Sequence, residues 1–408
     1  MIPPVSTDNA KGETMSQAEV YQETKEYLAQ YLRDPAGDPT VGQWVLDRLT
    51  LLTLGMIQAE SAAPAKIAQA GRALSGRATQ TESIERRLRR IVSDPRIQAR
   101  QCHQPLVKAI LKNSAMDTLF LVVDPSLQED RVVLVSLHTW YRGRSLPLVW
   151  TTWPANRPLE GAGFWQRIDQ LLGQAQPLIP HGVRVIVLAD RAFGTPAFTD
   201  LVAKRGWHWI VRVQGQTRCQ DRCGRERAVA DLVQSKGQRR KLRGQVFKKA
   251  GWRTASVVVY WGRRHRTPLC LVSDLPADWV LIRYYKHRFA IEPTFRDFKS
   301  YGWHWEQIQI KNLDHLNVLL VGMALATWLT LLVGALQAKA YLTQPPSGQR
   351  RTRPWPAKYS LFQLGLQLWH NCLAEGLLPL LWSALPDWEV PNWSTQLTAH
   401  HVHAFIFA

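Results

Sequence analysis

The chain reads as an α/β protein, with a mixed sheet flanked by helices, a basic strand-rich stretch interrupting it and helical regions at both ends. Three observations predict this. Residues 17–111 repeat their apolar positions at helical spacing with few strand-like runs. From Thr118 three short apolar runs follow one another and then alternate with helical segments, the pattern of a mixed sheet with helices on it. Between Asp190 and Glu292 lies a stretch whose composition matches neither neighbour. At 408 residues the chain can bury a sizeable core and divides into two or three domains. The boundaries fall at 1–112 (helical N-terminal region), 113–213 (first part of the α/β core), 214–276 (basic β-rich insertion), 277–342 (second part of the core) and 343–408 (linker and helical C-terminal region).

After a loose polar arm of about 16 residues, the N-terminal region contains Ser83–Val92, which places Arg86, Arg87, Arg89 and Arg90 beside an apolar stripe of Ile84, Leu88 and Ile91. Such a helix docks by one side and offers arginines to phosphates. As a merely solvated face it would leave those arginines repelling one another, with only Glu82 and Glu85 nearby.

In the first core part, Leu119–Val123 is an apolar run ending in Asp124. Val132–Trp140 and Leu146–Trp153 follow, with Tyr141–Arg144 as the turn between them. Then come a helix over Gly163–Leu172, a strand over Val183–Ala189 ending in Asp190, a helix over Pro196–Lys204 and a strand over Trp207–Val213. Asp124 and Asp190 are thus predicted at the C-terminal ends of buried strands, where open α/β sheets place their chemistry.

Residues 214–266 hold fifteen Lys and Arg against three acids, so they supply most of the chain's net charge of +19. Within the insertion, Ala255–Trp261 and His265–Ser273 read as a hairpin with Gly262, Arg263 and Arg264 at its tip. Trp252 and Trp261 lie among these cations. Rings so placed stack on an unpaired or flipped base, or simply pack under the hairpin, and composition leaves both open. Cys219 and Cys223 have only His208 and His265 as tempting zinc partners and read better as incidental thiols.

In the second core part, Tyr285, Arg288, Glu292 and Lys299 fall on one face of a helix at about 100° per residue. Ile291 and Phe298 lie on another side, able to hold the helix against a sheet. Pro293 should kink the helix or open a second segment. A carboxylate between cations suits a divalent metal held beside gripped phosphates, although the spacing equally describes an exposed helix with internal charge pairs. Leu316–Leu336 is apolar enough to raise a membrane span, but its Asn, Thr and Gly interruptions favour a buried core helix and no membrane. Beyond it, Pro345–Pro354 reads as a linker with three arginines, and Leu361–Leu385 as helical.

A soluble chain this basic meets a polyanion, and 18 Trp with 24 Pro argue against a disordered basic tail. Five scattered cysteines and no signal-peptide pattern at the start predict a reducing cytoplasm.

Tyr285-x2-Arg288-x3-Glu292-x6-Lys299, with Asp124-Pro125-Ser126 and Asp190-Arg191-Ala192-Phe193, resembles the DDE transposases of bacterial insertion sequences. The resemblance is to the insertion-sequence-four-like branch with a Tyr-Arg-Glu-Lys motif, and it covers roughly residues 80–340. It implies an RNase H-like catalytic core, an N-terminal region that recognises transposon ends, and a homodimer holding two ends of double-stranded DNA and then target DNA. It also implies Asp124, Asp190 and Glu292 as catalytic ligands of two Mg²⁺ ions, with Mn²⁺ as a substitute. Tyr285, Arg288 and Lys299 would grip the DNA backbone, and a hairpin step would use a tryptophan of the insertion, Trp261 before Trp252. The location implied is the cytoplasm, on the nucleoid. Rival readings are a DNA-binding relic that no longer cuts, an RNase H-like nuclease without strand transfer, and a membrane-anchored or structural protein.

Overall fold

The computed structural model describes residues 15–343, 360–377 and 384–386, apart from 35, 75–79, 129–130 and 160. The linker arginines and most of the N-terminal arm lie outside the described residues. The N-terminal helices are α1 (Gln17–Tyr31), α2 (Gln43–Ala59), α3 (Pro64–Leu74), α4 (Thr81–Val92), the single turn α5 (Ala99–Cys102) and α6 (Gln104–Asn113). Ser16 and Glu19 close a capping box at the start of α1. Ile84, Leu88 and Ile91 of α4 are buried, so the predicted stripe is the docking side.

Next come β1 (Thr118–Gln128), β2 (Val132–Tyr141), β3 (Arg144–Pro154), α7 (Gly161–Ala175), β4 (Arg184–Ala189), α8 (Pro196–Ala203) and β5 (His208–Arg212). The basic stretch forms β6 (Arg218–Gln220), β7 (Glu226–Ala228), β8 (Arg239–Val246), β9 (Arg253–Tyr260) and β10 (Leu269–Ser273). The chain continues through α9 (Val280–Lys286), α10 (Ile291–Arg296), α11 (Leu313–Thr343) and α12 (Leu361–Glu375).

All ten strands belong to one sheet in the order β3-β2-β1-β4-β5-β10-β9-β8-β6-β7. Its centre, β1, β4 and β5, is parallel, and both flanks are antiparallel. The five strands of residues 214–276 therefore extend the sheet beyond β5, because β10 pairs with β5. The β2–β3 hairpin closes over Arg142 and Gly143, both at positive φ (47° and 79°), the turn geometry that matches the twist of two antiparallel strands.

Central strands are apolar on both sides because both faces of the sheet are covered. Leu119, Leu121, Val123, Val185, Val187, Ala189 and Val211 join the large core on one face. Phe120, Val122, Ile186, Leu188, Ile210, Val258 and Leu271 form a second cluster on the other, with Leu281, Tyr285 and Ile291 from α9 and α10.

Helix α11 is long and apolar enough to cross a bilayer by length and composition, yet its apolar window is wholly buried. It lies against α2, β3 and α12. A Cβ at Gly334 would overlap the Leu361 carbonyl, and one at Gly365 the Thr330 carbonyl, so glycine is required for α11 and α12 to approach this closely.

Candidate active site

Strand register assembles the two aspartates. β1 and β4 are parallel and their last paired residues are Val123 and Ala189. One residue further, Asp124 and Asp190 are lateral neighbours on adjacent strands spaced about 4.8 Å apart. Side chains alternate between faces, so Asp124 shares the side of Phe120 and Val122, and Asp190 that of Ile186 and Leu188. Both acids therefore point to the face covered by α9 and α10.

One prediction is corrected here. Asp124 does not end its strand: β1 runs on through Pro125 to Gln128, paired with β2 alone. Pro125 is tolerated because the β4 ladder has already stopped, which leaves an edge on that side.

The third acid arrives from α10. Thr294 accepts a hydrogen bond from the Ser145 amide (3.0 Å), and Asp297 pairs with Arg144 at 3.3 Å with both side chains largely buried. These contacts pin the helix to the start of β3. Pro293 falls in the first turn of α10, where its missing N–H costs nothing, after a 3₁₀ stretch over His287–Ala290. A π-helical turn, Asp297–Tyr301, follows.

This irregularity breaks the single polar face predicted for the four spaced residues. Tyr285 is 1% exposed and Arg288 8% exposed, both turned toward the sheet. Glu292, whose side chain is about half exposed, is the most exposed of the four. Lys299 pairs with Glu306 at 3.2 Å. Tyr285 is buried and forms the floor under the acids.

Arg288 lies between the carboxylates, 3.5 Å from Asp124 and 3.0 Å from Glu292. Burial opposes its charge, but Tyr285, Asp124, Glu292 and Asp190 outweigh burial and hold it protonated. Burial pushes Asp124 up to about 7; Arg288 opposes the rise, and Asp190 and Glu292 add to it. Burial likewise lifts Tyr285 to about 12. Asp190 accepts a hydrogen bond from the Ala192 amide (2.8 Å), which orients its carboxylate.

The raised Asp124 pKa has a consequence for stability. A carboxyl held above its ordinary 3.8 favours the folded state while protonated, and that stability is lost as pH climbs from about 4 to about 7. Asp124→Asn should therefore gain in melting temperature on the wild type as pH rises from about 5 to about 8, read by differential scanning fluorimetry. Parallel curves for the two proteins would refute this coupling. Asp297, raised by burial to about 6, is common to both and cancels.

Sequence reasoning missed Arg212. β4 and β5 are parallel with Ala189 opposite Val211, so Arg212 stands beside Asp190 as Asp190 stands beside Asp124. Burial holds its pKa below the usual guanidinium range; Tyr285 opposes the fall, and Arg191 and Arg288 add to it. The readable signal was parity: it stands one residue past the apolar run Trp209–Val211, as the two acids stand one residue past theirs.

The remaining predicted contacts lie elsewhere. Trp261 packs against the core of the opposite face, and its indole Nε1 donates to the His265 carbonyl (3.0 Å). It is therefore turned away from the acids, as the alternation of β9 requires. Trp252 is half-buried in the β8–β9 turn. Arg263 and Arg264 are exposed at the hairpin tip. In α4, Arg87 is ion-paired with Asp47 and Arg89 with Glu85, while Arg86 and Arg90 are exposed. Cys219 is buried and Cys223 exposed.

Among the described residues no three His, Cys, Asp or Glu side chains are close enough to form a ready metal shell. The donor set still fits a hard divalent cation: it is all carboxylate, and Arg288 already holds positive charge between two of its members.

Comparison with known proteins finds one family model that matches the central part of the chain. Residues 129–329 match the family model described as Transposase DDE domain, a span that includes Asp190 and Glu292 and begins just after Asp124. The match supports a DDE transposase, a family that generally uses divalent metal ions and whose substrate is DNA. No curated protein matches. Among solved structures, the crystal structure of human ENDOV is similar at 14% identity, with 49% of this chain and 97% of that chain covered and a TM-score of 0.26.

Proposed function

We propose that this chain, which carries a transposase DDE domain over residues 129–329, binds the terminal inverted repeats of an insertion sequence, cuts there and joins the freed ends to target DNA. The observation that carries this reading is the register that sets Asp124 beside Asp190 on the face where α10 presents Glu292. These three carboxylates would hold two Mg²⁺, with Mn²⁺ as a substitute. When bound, the ions supply activation of water or a 3′-hydroxyl and stabilisation of the leaving oxygen.

The chain's own residues do the rest. Tyr285 and the apolar cluster beneath it exclude water from the floor, which strengthens every charge interaction above. Arg288, fixed by Asp124 and Glu292, has guanidinium N–H groups to donate to the oxygens of an approaching phosphodiester. Arg212 adds a second cation at the same level of the sheet. The exposed arginines of α4 and of the hairpin tip hold DNA at a distance, and a homodimer brings two ends together. An RNase H-like core of the insertion-sequence-four-like branch is the frame that we propose for these residues.

Incubating the purified protein with DNA carrying the element's own terminal repeats, in Mg²⁺ or EDTA, tests the reading. The expected outcome is cutting at the repeat boundary in Mg²⁺ alone, lost in Glu292→Ala. Repeat binding without cutting would leave a DNA-binding relic, and cutting without joining a nuclease.

A further inference from the structure

The charge of the basic stretch is unevenly neutralised. Two of its acids are used at the far edge of the sheet, where Asp221 pairs with Arg225 and Arg227, and Glu226 pairs with Arg218 and Lys248. On β8 the situation differs. Arg239 and Arg240 are exposed and have no carboxylate partner among the described residues, and Lys241 reaches only Asp278, at 3.5 Å.

Register decides which way these cations face. Lys241 stands opposite Val258, Arg239 opposite Tyr260 and Arg243 opposite Ser256. Val258 belongs to the cluster on the face of the acids, so the alternating residues Arg239, Lys241 and Arg243 share that face with Asp124 and Asp190. Trp279, just before α9, stands over this row: the Arg239 guanidinium is 4.7 Å from its ring centroid and the Lys241 ammonium 5.4 Å. Arg243 donates to the Ser256 hydroxyl (3.1 Å) and the Asp274 carbonyl (3.2 Å). The ring and these bonds hold long, flexible side chains in one direction.

We propose that the β8 row with Trp279 is a track for the backbone of duplex DNA, with Arg239 and Lys241 as phosphate contacts and Trp279 as the positioning residue. Alternate residues on a strand lie about 6.7 Å apart, close to the separation of successive phosphates along one DNA backbone, which winds across the duplex axis. From β4 to β8 is four strand spacings, about 19 Å, so the track meets DNA about five or six base pairs from the reacting phosphodiester. That distance rests on the transposase reading; the contact itself, being to phosphates, is independent of base sequence.

The test uses the full chain and compares wild type with the Arg239→Gln/Lys241→Gln double variant. Both side chains are exposed, so the variant folds normally. Affinity for repeat DNA and for an unrelated duplex is measured across a salt series. Loss of two phosphate contacts should reduce the slope of log K against log salt by about 2 and weaken both duplexes alike. Phosphate-ethylation interference should lose its signal about five or six base pairs from the repeat boundary. Trp279→Ala should give an intermediate slope that Trp279→Phe restores. An unchanged slope in the double variant overturns the track, whatever the cleavage result. A wild type that binds but never cuts overturns the reading of the acids, and the slope still decides the track.

Discussion

Asp124→Ala should reduce Mg²⁺-dependent cleavage by about a thousandfold or more, while repeat binding changes by less than about threefold. Asp124 is the acid between the others in charge terms, its pKa raised first by burial and further by Asp190 and Glu292, and it is paired with Arg288. Its removal takes away one carboxylate from the proposed metal shell and loosens Arg288, which keeps Glu292 at 3.0 Å. Apart from Arg288, the proposed DNA contacts are remote from it, and deleting a negative charge near the phosphates does not weaken them. Single-turnover cleavage and gel-shift titration separate the two quantities. Retained cleavage would remove Asp124 from the chemistry, and lost binding would turn the residue into a structural one.

The strands were legible because burial on both faces writes continuous apolar runs, as in Leu119–Val123 and Val185–Ala189. Parity was legible too: an acid one step beyond each run had to share its alternation. Pairing was not. That β1 continues past Pro125, that Arg212 falls beside Asp190, and that Trp261 faces away from the acids all depend on which strand lies next to which, information held in contacts distant in sequence. The helix that carries Glu292 misled for another reason. Uniform 100° steps were assumed, but the 3₁₀ and π turns on either side of α10 rotate Tyr285 and Arg288 inward and leave Lys299 with Glu306. Spacing identified the four residues, and backbone irregularity decided which of them meet solvent.

The largest stability effect is predicted far from any charge. Trp328 in α11 is fully buried, and its indole Nε1 donates to the Pro147 carbonyl of β3 at 2.8 Å. Trp328→Ala should cost about 3–5 kcal/mol, from lost apolar burial, the cavity left behind and an unpaired carbonyl. Trp328→Phe keeps most of the volume and should cost about 1–3 kcal/mol, chiefly the unpaired carbonyl. Urea unfolding reads both as a lowered midpoint at unchanged slope. The consequence reaches the site because β3 is the strand on which Ser145 and Arg144 anchor α10. A loosened α11 should therefore lower cleavage through a less firmly placed Glu292, even at temperatures where the variant is folded. A cost below about 1 kcal/mol for Trp328→Ala would mean that α11 is not the packed centre of the large core, and the support drawn here for Glu292 would fall with it.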